Sequence, residues 1–126
     1  ASEEARVAPL TPASITFAEV QERFRRMALV ARRAVGEPVT FTIPARMSAP
    51  VAGVIVDAAE RATEGLAAAP MTNVRRVIIS VGSEPEVELR GTELHIQVAP
   101  QLGYAGRPSS NTIRNVVSGA VQGPTQ

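Results

Sequence analysis

The 126-residue chain has no cysteine, no tryptophan and no lysine, and it has one aspartate, one histidine and one tyrosine. Without cysteine there is no disulfide, no thiolate nucleophile and no cysteine-based metal site, which fits a cytoplasmic protein. Without lysine there is no Schiff base and no Walker-type phosphate ligand. His95 stands alone, so a catalytic triad or a histidine-rich metal site would have to be built around one residue. Three phenylalanines and one tyrosine leave no aromatic platform on which bases or sugars could stack. All 13 cations are arginine, and they are balanced to a net charge of +1, so no global field attracts nucleic acid or a membrane surface. No apolar run approaches the ~18–20 residues that span a bilayer, and no signal peptide is visible.

What is present is a hydrophobic content of 44% with 10 prolines and 9 glycines, the make-up of one globular domain with well-defined turns. Residues 1–13 read as an N-terminal loop, 14–123 as a single domain and 124–126 as a tail. Thr16 and Glu19 have capping-box spacing, and Ile15 with Val20 can form a hydrophobic staple. Phe17, Val20, Phe24, Met27, Ala31 and Val35 then recur at helical spacing, and Gly36 stops the helix. Val39, Phe41 and Ile43 alternate with threonines as a strand that Pro44 ends. Ser48 and Pro50 open a second helix with an apolar stripe from Val51 to Ala69. On its surface Asp57 and Arg61 stand four apart and can pair. Residues 76–81 alternate as a second strand. Val87 and Leu89, then Leu94, Ile96 and Val98, predict a hairpin turning at Gly91-Thr92. Residues 99–109 read as a loop, and Ile113, Val116, Val117, Ala120 and Val121 as a last helix capped by Ser110 or Asn111. This order predicts an α+β, two-layer sandwich with three helices on one face of a mixed, mainly antiparallel sheet.

This order of elements, over roughly residues 17–123, resembles the ATPase domain of two-component sensor histidine kinases, a Bergerat-type (GHKL) fold, with local matches in residues 32–69 and 110–123. Glu60 and Thr63 match the Glu and Thr of the family motif Glu-Ala-Leu-Thr-Asn-x-x-x-His-Ala, and Ala69 matches its final Ala. Glu64 and Ala68 replace the Asn and the His. Ile113, Arg114, Asn115 and Val116 follow Gly-x-Gly-Leu-Arg-Asn-Val, with Ser110 and Thr112 where the glycines stand. The adenine-reading Asp-x-Gly-x-Gly segment would fall in residues 98–104, where there is no acid and Gly103 alone survives. The resemblance therefore implies a degenerate nucleotide site. Glu60 takes the catalytic position and Glu64 that of the metal ligand. Gly103, Tyr104, Arg107, Ser110 and Thr112 take those that would contact the nucleotide. It implies no cofactor in the degenerate case, and ATP with magnesium if the site works. It also implies a protein partner such as a histidine-kinase dimerisation domain or a response regulator. The placement would be cytoplasmic, alone or as the soluble part of a membrane-bound sensor.

The residues by themselves leave other readings open. Glu60 and Glu64 are also what a solvated helix face looks like, and so is the arginine run from Arg23 to Arg33. His95 between Leu94 and Ile96 fits a structural histidine facing away from the core. The 99–109 loop is either a lid carrying Tyr104 and Arg107 or an ordinary connection. Three functions follow: a signalling module with weak or no ATP binding, a divergent but active ATP-dependent kinase domain, or an unrelated α+β protein-interaction domain. Nucleic acid binding and membrane contact are not expected.

Overall fold

The computed structural model describes residues 17–44, 47–69 and 73–122. The capping box and staple around Thr16, the N-terminal loop and the tail lie outside them. Among the described residues three long helices form: α1 (Phe17–Val35), α2 (Ala49–Ala67) and α3 (Ser110–Gln122). The strands are β1 (Thr40–Thr42), β2 (Arg76–Val81), β3 (Glu86–Arg90) and β4 (Glu93–Val98), and they make a four-stranded sheet in the order β1-β2-β4-β3.

Each helix follows its apolar spacing. Val20, Phe24, Met27 and Ala31 bury one stripe of α1, and Gly36 ends it at φ 87, its N–H donating to Arg32 O at 2.7 Å. The Phe24 ring meets Phe41 of β1 with centroids 5.7 Å apart, which fixes α1 over that edge. Helix α2 buries Ile55, Ala58, Ala59, Ala62 and Leu66 completely. It lies over β2 and β4 with α1 on one flank and α3 on the other. Small residues let the flanking helices approach, and a Cβ on Gly65 would lie 2.7 Å from Ile113 Cγ2 of α3. The α3 cap is Ser109, one residue before the expected Ser110: its Oγ accepts the Thr112 N–H at 3.1 Å.

The sheet is mixed, as expected, with all three helices on one face. The expectation that it is mainly antiparallel is corrected: β1–β2 and β2–β4 are parallel, and the hairpin β3–β4 alone is antiparallel. Burial explains the order. Leu94, Ile96 and Val98 of β4 are all fully buried, so β4 takes the central place beside β2. Strand β3, whose Val87 and Leu89 are half-buried, is left at the edge. The open face carries Arg76, Glu93, His95, Glu88 and Arg90. His95 Nε2 lies 3.2 Å from Glu93 Oε1, and Arg76 and Arg90 pair with Glu93 and Glu88 at 3.3 and 2.9 Å. His95 is thus on the side away from the core, as its alternation predicts. Among the described residues no helix is long and apolar enough to cross a membrane.

Residues 99–109 differ from the expected loop. Pro100–Gly106 winds as 3-10 turns kinked at Gly103 (φ 66, ψ −130). Its ends close on each other, with Ala99 N–H donating to Gly106 O at 2.6 Å. Gly106 has no room for a side chain, because a Cβ there would fall 2.0 Å from Ala99 O. Gly106→Ala is therefore expected to lower stability by about 1–3 kcal/mol in urea denaturation. Gly119→Ala on α3, where a Cβ meets nothing within 4 Å, should raise it by about 0.5–1 kcal/mol.

Candidate functional site

The outer stripe of α2 is the one polar strip on a helix otherwise enclosed. Asp57 stands three and four residues before Glu60 and Arg61, and these stand four and three before Glu64, so the four share a face about 10 Å long between α1 and α3. Each carboxylate has a cation. Glu60 is paired with Arg23 of α1. Glu64 lies 3.5 Å from Arg61. Asp57 faces Arg107, from the residue just past the 3-10 segment, with Oδ2 3.6 Å from Nη1.

The Asp57–Arg107 pair replaces the expected surface pair of Asp57 with Arg61, whose guanidinium turns to Glu64 instead. The pair is nearly enclosed: the side chains are 15% and 9% exposed. Asp57 Oδ2 is buried and accepts no hydrogen bond from the described residues. Burial pushes the Asp57 carboxyl above its ordinary value of 3.8; Arg107 opposes this, Glu60 adds to it, and Arg61 and Arg23 oppose it more weakly. Desolvation thus outweighs the attraction of the guanidinium, the common balance for a buried ion pair.

The other proposed site residues fall into separate places. Glu60 and Glu64 border a groove of about 420 Å³ between α1 and α2, lined also by Met27, Val30 and Thr63. Thr63, at the motif's Thr position, is buried and bonds backward to Ala59 O at 3.0 Å, so its hydroxyl is engaged within its own helix. Arg107 and Thr112 border a different groove, of about 660 Å³, between β3 and α3. Gly103 and Ser110 line neither. Tyr104 belongs to the 3-10 segment. Among the described residues no three His, Asp or Glu side chains converge on one point as a metal site would require. Sequence reasoning missed Asp57 and Arg23 as members of this site. The available signal was a lone acid inside the apolar run Val54 to Ala59, which needs a cation from another element.

Removing one half of the buried pair leaves the other charge stranded. Arg107→Met is expected to cost up to about 3–5 kcal/mol, while Asp57→Leu combined with Arg107→Met should be close to neutral; a double-mutant cycle in urea reads the difference. The raised carboxyl also sets a pH dependence. The folded chain binds the Asp57 proton more tightly than the unfolded chain. Its contribution to stability is therefore largest below 3.8 and falls as pH rises through the folded value. Asp57→Asn should remove that part of the slope in a pH series of urea midpoints.

No curated protein and no solved structure matches the chain. A family model described as a domain of unknown function, DUF4908, matches residues 1–117, and the chain belongs to that family.

Proposed function

We propose that the chain is a regulatory or signalling module built on the histidine-kinase ATPase-like scaffold, with its nucleotide chemistry lost, and that it works by protein contact. The observation that carries this reading is the Asp57–Arg107 pair. It ties the segment that would carry the adenine-reading loop directly to the helix that would carry the metal ligand. On this reading the tie would oppose the separation of the two that a bound nucleotide needs. Three further features support it. The helices 49–67 and 110–122 share one face of the sheet. Glu60 is held by Arg23. No acid stands in residues 98–104 to accept from an adenine amine, and a site without that acceptor loses most of its discrimination. The contact surface is the outer side of α1, where Leu29 and Val30 are 54% and 41% exposed among Arg25, Arg26, Arg32 and Arg33. A dimerisation helix bundle or a response regulator with an acidic, apolar-centred face fits it. Such a module would act in the cytoplasm, alone or attached to a sensor.

A second reading is a divergent ATP-binding kinase domain. Glu64 favours it: the side chain is exposed beside an open groove, and a carboxylate is a competent magnesium ligand. Calorimetric titration with magnesium-ATP separates the two. The module reading expects no saturable heat at millimolar nucleotide and no change with Glu64→Ala. Tight, magnesium-dependent binding that Glu64→Ala abolishes would overturn it in favour of the enzyme.

A further inference from the structure

The sheet has two edges, and they are unlike. Strand β1 has three residues, with Pro38 just before it and Pro44 just after, so its ladder cannot be extended far. Strand β3 has five residues, and among the described residues no strand pairs with its outer side. The two-residue turn at Gly91-Thr92 makes Arg90 and Glu93 the hydrogen-bonded closing pair. Alternation along an antiparallel ladder then turns the N–H and C=O of Glu86, Glu88 and Arg90 toward β4, and those of Val87 and Leu89 out at the free edge. The side chains of Val87 and Leu89 are half-buried on the helix-bearing side, while Glu86, Glu88 and Arg90 are exposed on the open face. Along the same edge runs the groove of about 660 Å³, floored by Pro85 and Val87 and walled by Pro108, Thr112 and Val116.

We infer that β3 pairs antiparallel with β3 of a second copy of this chain, about a two-fold axis at Glu88. The charge pattern is self-complementary in that register. Glu86 of each copy lies opposite Arg90 of the other, and Val87 opposite Leu89. The two residues whose backbones face outward thus meet and exchange hydrogen bonds twice across the axis. Neighbouring in-phase registers fail. Centring on Val87 sets Glu86 against Glu88 and places Pro85, which has no N–H, opposite Leu89. Centring on Leu89 sets Val87 against Gly91, whose φ of 62 takes the chain out of the ladder. A two-fold axis perpendicular to the sheet keeps the helices of both copies on one side. It makes a continuous sheet of four strands from each copy and covers the half-buried Val87 and Leu89. One contact is unfavourable: Glu88 meets its own counterpart on the axis. Arg90, 2.9 Å away in the same strand, offsets it. The inference does not depend on the nucleotide reading.

Sedimentation of the full chain from micromolar to millimolar concentration tests this. The expected result is a monomer–dimer equilibrium. Glu86→Arg and Arg90→Glu should each weaken it roughly tenfold, because each turns two opposite-charge contacts into like-charge ones. The double variant Glu86→Arg/Arg90→Glu should restore it, and Glu88→Gln should tighten it several-fold. Circular dichroism checks that each variant is folded, which is the expected result because all three positions are exposed. A chain that remains monomeric throughout overturns the inference. So does a dimer indifferent to both single reversals, or a monomer that takes up an extended peptide along β3 in place of its own copy.

Discussion

Helix α2 is enclosed by the sheet beneath it and by α1 and α3 on its flanks, and the rest of the structure is arranged around that burial. Its alanines and glycines set how near the neighbours come. Gly65 admits Ile113, and Ala58, Ala59 and Ala62 are fully buried against what surrounds them. A helix so enclosed has one strip left for polar groups. The acids deeper in that strip, Asp57 and Glu60, are partly desolvated, so each needs a counter-charge from a neighbouring element. Arg23 and Arg107 supply this from opposite sides, one from α1 and one from the segment before α3. The polar stripe thus fixes the neighbours at two points beyond the apolar contacts.

Much of the architecture could be read from the chain because helix and strand periods are local. Val20, Phe24, Met27 and Ala31 announce both the helix and its buried side, and Gly91 announces the hairpin. Strand order is not local. Which strands take the centre depends on the total burial of each, and β4 lies inside β3 through the fully buried Leu94, Ile96 and Val98, which no short window compares with the half-buried Val87 and Leu89. The 3-10 turns of 100–106 were hidden for a similar reason. Pro100, Gly103 and Gly106 mark turns, but the approach of Ala99 to Gly106 is a closure between chain ends.

The site shows the same limit. Spacing on a helix points to Arg61 as the partner of Asp57, and for solvated side chains that rule holds. Burial reverses the choice. The enclosed carboxylate is served by the guanidinium that can reach it without leaving the interior, and Arg61, with 40% of its side chain exposed, turns to the exposed Glu64. Glu60 and Glu64 look equivalent in the sequence. One is held by a cation from another helix, and the other remains at an open groove. A one-dimensional motif cannot separate these two, since the difference lies in what packs above them.

An ion pair whose burial opposes its own charge adds little to stability, so its presence calls for another account. Two apolar side chains of like size would fill the same space between α2 and the 3-10 segment. They would carry no directional requirement, however, because the hydrophobic effect is non-directional. A carboxylate and a guanidinium in a low-dielectric setting tolerate displacement poorly, and Asp57 and Arg107 therefore hold the 100–106 turns at one position along α2.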